Sequence, residues 1–141
     1  MTNQSLRHAA PSLGGVFGSA EYDAHEQVAH FHDHATGLRA IIAVHSTALG
    51  PGLGGARFRP YAGEADALDD VLRLSHAMSY KAALAGLDLG GGKAVLLGDP
   101  ARDKPPAVMR AFGGFVEALS PKKLDRMSLS RPKTRNPCST R

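Results

Sequence analysis

Leu87-Asp88-Leu89-Gly90-Gly91-Gly92-Lys93-Ala94-Val95-Leu96-Leu97-Gly98-Asp99-Pro100 is the stretch around which the rest of the chain arranges itself. Three successive glycines lose too much backbone entropy to sit in a helix, so the run opens as a turn. Lys93 follows at once. Ala94–Leu97 is a short apolar strand, and Gly98-Asp99-Pro100 turns the chain again.

Reading backwards, Gly86 ends a helix that starts near Glu64. Gly63 serves as its N-cap and acids occupy its first turn. Ala67, Val71, Leu74, Met78 and Lys81 recur at helical spacing and define one face, which is predicted to point at the core. Its last member, Lys81, is a costly group to bury without partners. Leu49–Pro60 (LGPGLGGARFRP) holds four glycines and two prolines and is predicted to be a loop. Leu38–His45 is a near-continuous apolar run of strand length, and Glu26–Asp33 alternates with period two. Ala35-Thr36-Gly37 joins them as a hairpin. Reading forwards, Pro105 and Pro106 start a second helix, with Val108, Ala111, Phe112, Phe115, Val116 and Leu119 on or near one face. The elements predict a single three-layer α/β domain, a small mixed sheet of three to five strands with helices on its faces.

Three segments follow. Residues 1–22 form a polar, glycine-containing leader, 23–120 the folded domain, and 121–141 a tail. The tail has no usable periodicity and is expected to be disordered. It carries Lys122, Lys123, Arg126, Arg131, Lys133, Arg135 and Arg141 against Asp125 alone, a charge of +6 in a chain whose formal net charge is +4, which leaves −2 on the body. The basic balance therefore gives the folded part no nucleic-acid character, and the tail has no aromatic residue on which a base could stack. No apolar run is long enough to cross a bilayer, so no membrane partner is expected. The N-terminus lacks the apolar core of a secretory signal, and Cys138 is the only cysteine, so an internal disulfide is impossible. A cytoplasmic location is expected.

Lys81 and Lys93 carry the chemistry. If the glycine turn folds back, both ammonium groups face one pocket beside the glycine-rich segment 49–55. Two cations in a partly dry pocket depress each other's pKa. One then loses its proton near neutrality and serves as a general base, while the other stays charged and holds a carboxylate. Spacing by itself leaves an ordinary reading open, in which Lys81 lays its aliphatic stem over the core.

The wording of the segment carries more. An aliphatic residue, two free positions, Gly-Gly-small-Lys, and then a small polar residue before Pro resemble the active-site signature of the glutamate/leucine/phenylalanine/valine dehydrogenase family. GLRAIIAVHSTALGPGLGGARFRPY (37–61) and LRLSHAMSYKAALAGL (72–87) look like the matching family segments, so the likeness runs from about His25 to Ser120. It implies an NAD-dependent oxidative deamination of an apolar L-amino acid to its 2-oxo acid, nearest to leucine or valine dehydrogenase. Lys93 matches the catalytic lysine and Lys81 the lysine that binds the substrate carboxylate. Leu53, Gly54, Gly55 and Met78 match positions bordering the substrate. Glutamate dehydrogenases carry a lysine where Leu53 stands, so the likeness implies an apolar substrate side chain. It also implies a homo-oligomer in the full-length family. Two departures are Ala82, where relatives carry Asn or Met, and AHFHDH (29–34) in the first strand. No Gly-x-Gly-x-x-Gly leads from a strand directly into a helix anywhere in the sequence, so NAD is expected to bind in a domain that these residues do not include. The likeness stops at Ser120, and residues 121–141 are expected to be read out of frame.

Three other readings are weaker. A P-loop fails because Leu87 stands where its first glycine belongs, Ala94 replaces the magnesium-binding hydroxyl, and the order of elements is reversed. His30, His32, His34 and His45 could be drawn together on two strands around zinc, but a solvent-facing histidine surface is favoured, and no metal is assigned. A chain that only oligomerises, without turnover, is the alternative from a different functional class.

Overall fold

The computed structural model describes residues 14–103 and 105–119, and the backbone of 124–129. A sheet of five strands runs in the order β1 (Gln27–His32), β2 (Arg39–Ser46), β4 (Gly90–Leu97), β3 (Gly52–Arg59) and β5 (Leu124–Leu129). β2 runs antiparallel to both of its neighbours, β1 and β4, whereas β3 lies parallel to both β4 and β5. The sheet is therefore mixed. Helix α1 (Glu64–Leu84) covers one face and α2 (Pro106–Leu119) belongs to the other, giving the three layers expected from the sequence.

Period-two alternation builds both cores. Ile42, Val44, Ala56, Ala94 and Leu96 face α2 and pack with Val108 and Phe112. Ile41, Ala43 and Val95 face the other way and pack with Ala67, Leu68, Val71 and Leu72 of α1. Each fully buried aliphatic side chain contributes on the order of 1.5–3 kcal/mol. The interior strand β2 thus needs apolar residues on both faces, which is why it reads as an unbroken apolar run.

Several expectations hold at the level of single residues. The helix begins at Glu64 behind an extended Gly63, and ends with Ala85 as C-cap and Gly86 at φ 70°. The hairpin forms, with Asp33 accepting from the Thr36 amide at 2.9 Å.

Four expectations are corrected. Residues 52–59 are not loop but strand β3. The glycine triplet is not a turn either, since Gly90, Gly91 and Gly92 are the first residues of β4. The leader is not loose over its described part: Val16 and Tyr22 pack against the α1 core, while 1–13 lie outside the described residues. Past Ser120, where no element was expected, β5 pairs with β3 from Gly52 to Ala56; 130–141 lie outside the described residues.

Candidate active site

Lys93 sits in the middle of β4, opposite Ala43 of β2. Alternation along β4 puts it on the α1 side with Gly91 and Val95. On the neighbouring strand the same alternation puts Leu53, Gly55 and Arg57 on that side. The β3–β4 register, Leu53 opposite Gly91 and Ala56 opposite Ala94, brings Gly55 alongside Lys93.

The helix is held against this surface by the absence of a side chain. A Cβ on Gly91 would overlap the Ser79 amide and hydroxyl and crowd the Ser75 carbonyl, so the last turns of α1 lie directly on the β4 backbone. Lys81, two residues beyond Ser79, therefore emerges at the end of the sheet where β3 and β4 start.

The core-facing stripe of α1 differs from the one spacing suggested. Ala67, Leu68, Val71, Leu72, Ser75 and Ala82 are buried. Leu74 and Met78 are only half-buried, and Lys81 is exposed. These three lie with Asp70 on the flank that faces β3. Lys81 thus avoids the desolvation that a core position would impose, yet it stays close enough for its charge to act on Lys93.

Burial is the first cause that pushes the Lys93 amine below its ordinary value. The positive charges of Arg57 and Lys81 push the same way, and Asp70 opposes them. Among the described residues neither lysine is engaged in an ion pair.

Asp70 is the member of this site that sequence reading missed. Its carboxylate accepts from Arg57 Nη1 at 3.0 Å, from the Tyr61 hydroxyl at 2.7 Å and from Arg73 Nη2 at 2.6 Å. Burial works against its ionisation, but the Tyr61 and Arg73 hydrogen bonds and the Arg57 guanidinium prevail and hold it below the usual carboxylate range. Burial and the adjacent carboxylate together raise the Tyr61 phenol.

Asp70→Asn is expected to destabilise the chain by about 1–3 kcal/mol at pH 7. Because the folded pKa is depressed, the stability is fully present above the ordinary value of 3.8 and is lost as pH falls through the folded pKa. Urea melts of the two proteins should therefore differ at pH 7 and converge in acid; a constant gap would remove this account.

A cavity of about 600 Å³ opens at the other end of the α1 side, lined by residues that include His30, Arg39, Tyr61 and Glu64, and it contains neither lysine. The four histidines considered for zinc are not assembled: His30 pairs with Glu64 at 3.2 Å, while His32 and His34 pack on each other.

The family model for the Glu/Leu/Phe/Val dehydrogenase dimerisation domain matches residues 22–127. The chain belongs to this family. The match continues past Ser120, where the sequence reading ended it, into β5. The chain is 62% identical over 95 residues to a phenylalanine dehydrogenase of Bacillus thermotolerans, covering 67% of this chain and 25% of that protein. It is 58% identical over 100 residues to a valine dehydrogenase of Streptomyces virginiae, covering 71% and 28%. Among solved structures, L-tryptophan dehydrogenase from Nostoc punctiforme superposes with a TM-score of 0.70 at 43% identity, covering 75% of this chain and 32% of that one. This family member thus spans about a quarter of the length of the curated amino-acid dehydrogenases it matches.

Proposed function

We propose that this chain is the substrate-side domain of an amino-acid dehydrogenase that deaminates an apolar L-amino acid to its 2-oxo acid, releasing ammonia. The observation that supports this most is Lys93 itself, a half-buried amine held below the ordinary lysine value by burial and by its cationic neighbours, beside strands whose glycines leave room for a ligand. Lys81, exposed and charged, holds the substrate carboxylate. The neutral Lys93 amine takes a proton from the water that adds to the imino carbon, and returns it as ammonia departs. Leu53 borders the substrate side chain and offers a second carboxylate no partner, which favours leucine, valine or phenylalanine over glutamate. Gly54, Gly55 and Met78 complete that wall. Homo-oligomerisation through this domain and a cytoplasmic location belong to the same proposal.

The described residues do not fit a dinucleotide. Pyrophosphate binding needs a glycine turn that leads from a strand into a helix N-terminus. Here the glycine triplet lies inside β4, and Gly52, Gly54 and Gly55 lie inside β3. NAD is therefore assigned to a part of the dehydrogenase outside these residues, and the 141-residue chain alone is expected not to reduce NAD with leucine.

A chimera tests the reading. Residues 22–127 replace the corresponding segment of the Streptomyces virginiae valine dehydrogenase. Deamination of valine, leucine or phenylalanine well above that of glutamate is the expected outcome. A folded chimera with no activity toward any amino acid rejects the proposal.

A further inference from the structure

We propose that Asp23, His45 and His76 bind a single divalent transition-metal ion of the zinc class, on the flank of α1 opposite to the lysines. The three residues come from three parts of the fold: the segment before β1, the end of β2, and the middle of α1. One ligand atom from each lies within 4.8 Å of the others. His76 Nε2 stands 3.1 Å from Asp23 Oδ2, and His45 Nε2 stands 3.8 Å from the same oxygen.

The second observation concerns the environment of one nitrogen. His76 Nε2 is shielded from solvent and meets the geometry of no hydrogen bond, and the Asp23 carboxylate stands at ion-pair distance from it. A buried ring nitrogen aimed at a carboxylate and at a second imidazole is what a cation between them would satisfy.

The surrounding groups are arranged to hold these ligands. His45 Nδ1 is 2.7 Å from Ser79 Oγ. His45 Nε2 lies 3.1 Å from the Asp23 main-chain carbonyl and donates to it while the site is empty, so metal binding requires the other tautomer, in which Nδ1–H donates to the Ser79 hydroxyl and Nε2 turns its lone pair from that carbonyl to the ion. The nearby His25 is not a ligand. Its Nε2 lies 2.8 Å from the Leu72 carbonyl, and its Nδ1 accepts from the Asp23 amide at 3.2 Å, so it fixes the backbone of the carboxylate ligand instead.

Two imidazoles and one carboxylate suit zinc, cobalt or nickel and leave a position for water. Donors at about 2.0–2.2 Å from a tetrahedral ion stand roughly 3.4 Å apart, so modest rotations of the exposed Asp23 and half-exposed His76 side chains close the site. An ion there ties the segment before β1 to both β2 and α1.

The test uses the full 141-residue chain after chelation, with zinc chloride as the titrant in calorimetry and cobalt as an absorbing substitute. Uptake of one equivalent is expected. Asp23→Asn and His76→Gln should each weaken it at least tenfold, Ser79→Ala by about tenfold, and His30→Gln not at all. Zinc should also raise the melting temperature of the wild-type chain but not of His76→Gln. Each variant is melted without metal first, and Asp23→Asn, at an exposed position, covers the case in which His76→Gln does not fold. Absence of uptake at millimolar zinc, or uptake unchanged in both ligand variants, overturns the proposal. None of these outcomes depends on the dehydrogenase reading, because no amino acid or NAD is present.

Discussion

Lys93→Ala in the chimeric dehydrogenase should lower kcat by about two to four orders of magnitude, the range spanned by loss of a general acid–base. Folding should survive. Lys93 is only half-buried and makes no ion pair among the described residues, and the largest influence of a neighbouring charge on it is the like charge of Arg57. Removing it relieves repulsion more than it breaks contacts. Lys93→Arg separates charge from proton transfer. A guanidinium keeps the positive charge at every working pH but cannot give up a proton, so it should fail almost as badly as alanine. The wild-type rate should rise with pH through the Lys93 pKa, which lies below the ordinary lysine value of 10.5. Asp70→Asn removes a negative charge that supports the protonated form, and should move that rise to lower pH. Rates for Lys93→Ala within tenfold of the parent would discard the general-base role and leave Lys93 as a packing residue.

The parts of the fold that were legible in the sequence are those set by local pattern. β2 is apolar on both faces because both faces are covered, and an unbroken run announces that. α1 announces itself through its period and its glycine boundaries. The lysine after the triplet was legible for a different reason, the wording of residues 87–100, since spacing by itself left an ordinary reading open. β3 was not legible, because LGPGLGGARFRP satisfies every local rule for a loop. Its strand exists through backbone pairing with β4 on one side and β5 on the other, neither of which is encoded in its own periodicity. β5 reads LDRMSL, with charged residues at its second and third positions, and carries no alternation from which a strand could be called. Asp70 was missed because its partners Arg57 and Tyr61 reach it from outside the helix. The Lys81 position was misjudged because the face drawn through Ala67 and Val71 is the edge of the buried stripe. Leu68, Leu72 and Ser75 define its centre, and that leaves Lys81 on the β3 flank.

Gly54→Ala should be among the most damaging single-methyl changes available to this chain. A Cβ at Gly54 would overlap the carbonyl of Gly92 and crowd the Lys93 amide, and all of these atoms are backbone. A flexible side chain could swing aside; this strand cannot. Gly92 is paired with Val44 of β2 on its far side, and Lys93 with Ala43, so moving β4 away from β3 means breaking register with the antiparallel half of the sheet. Overpacking of a core typically costs about 1–3 kcal/mol, and an overlap with fixed backbone belongs at or above the top of that range. For a domain of this size each kilocalorie corresponds to roughly 4–8 °C, so the melting temperature should fall by at least about 12 °C. Gly113→Ala supplies the contrast. Nothing lies within 4 Å of the methyl it would add on the exposed face of α2, and alanine is the better helix former by about 1 kcal/mol, so that variant should melt slightly higher than the parent. Gly54→Ala melting within a few degrees of the parent would mean that the two strands can separate freely. The close approach at Gly54 would then not be what sets Leu53 and Gly55 against Lys93. If the loss is as large as expected, the same missing methyl that lets β3 join the sheet also holds the substrate wall at its distance from the amine, and stability and chemistry at this position are one constraint.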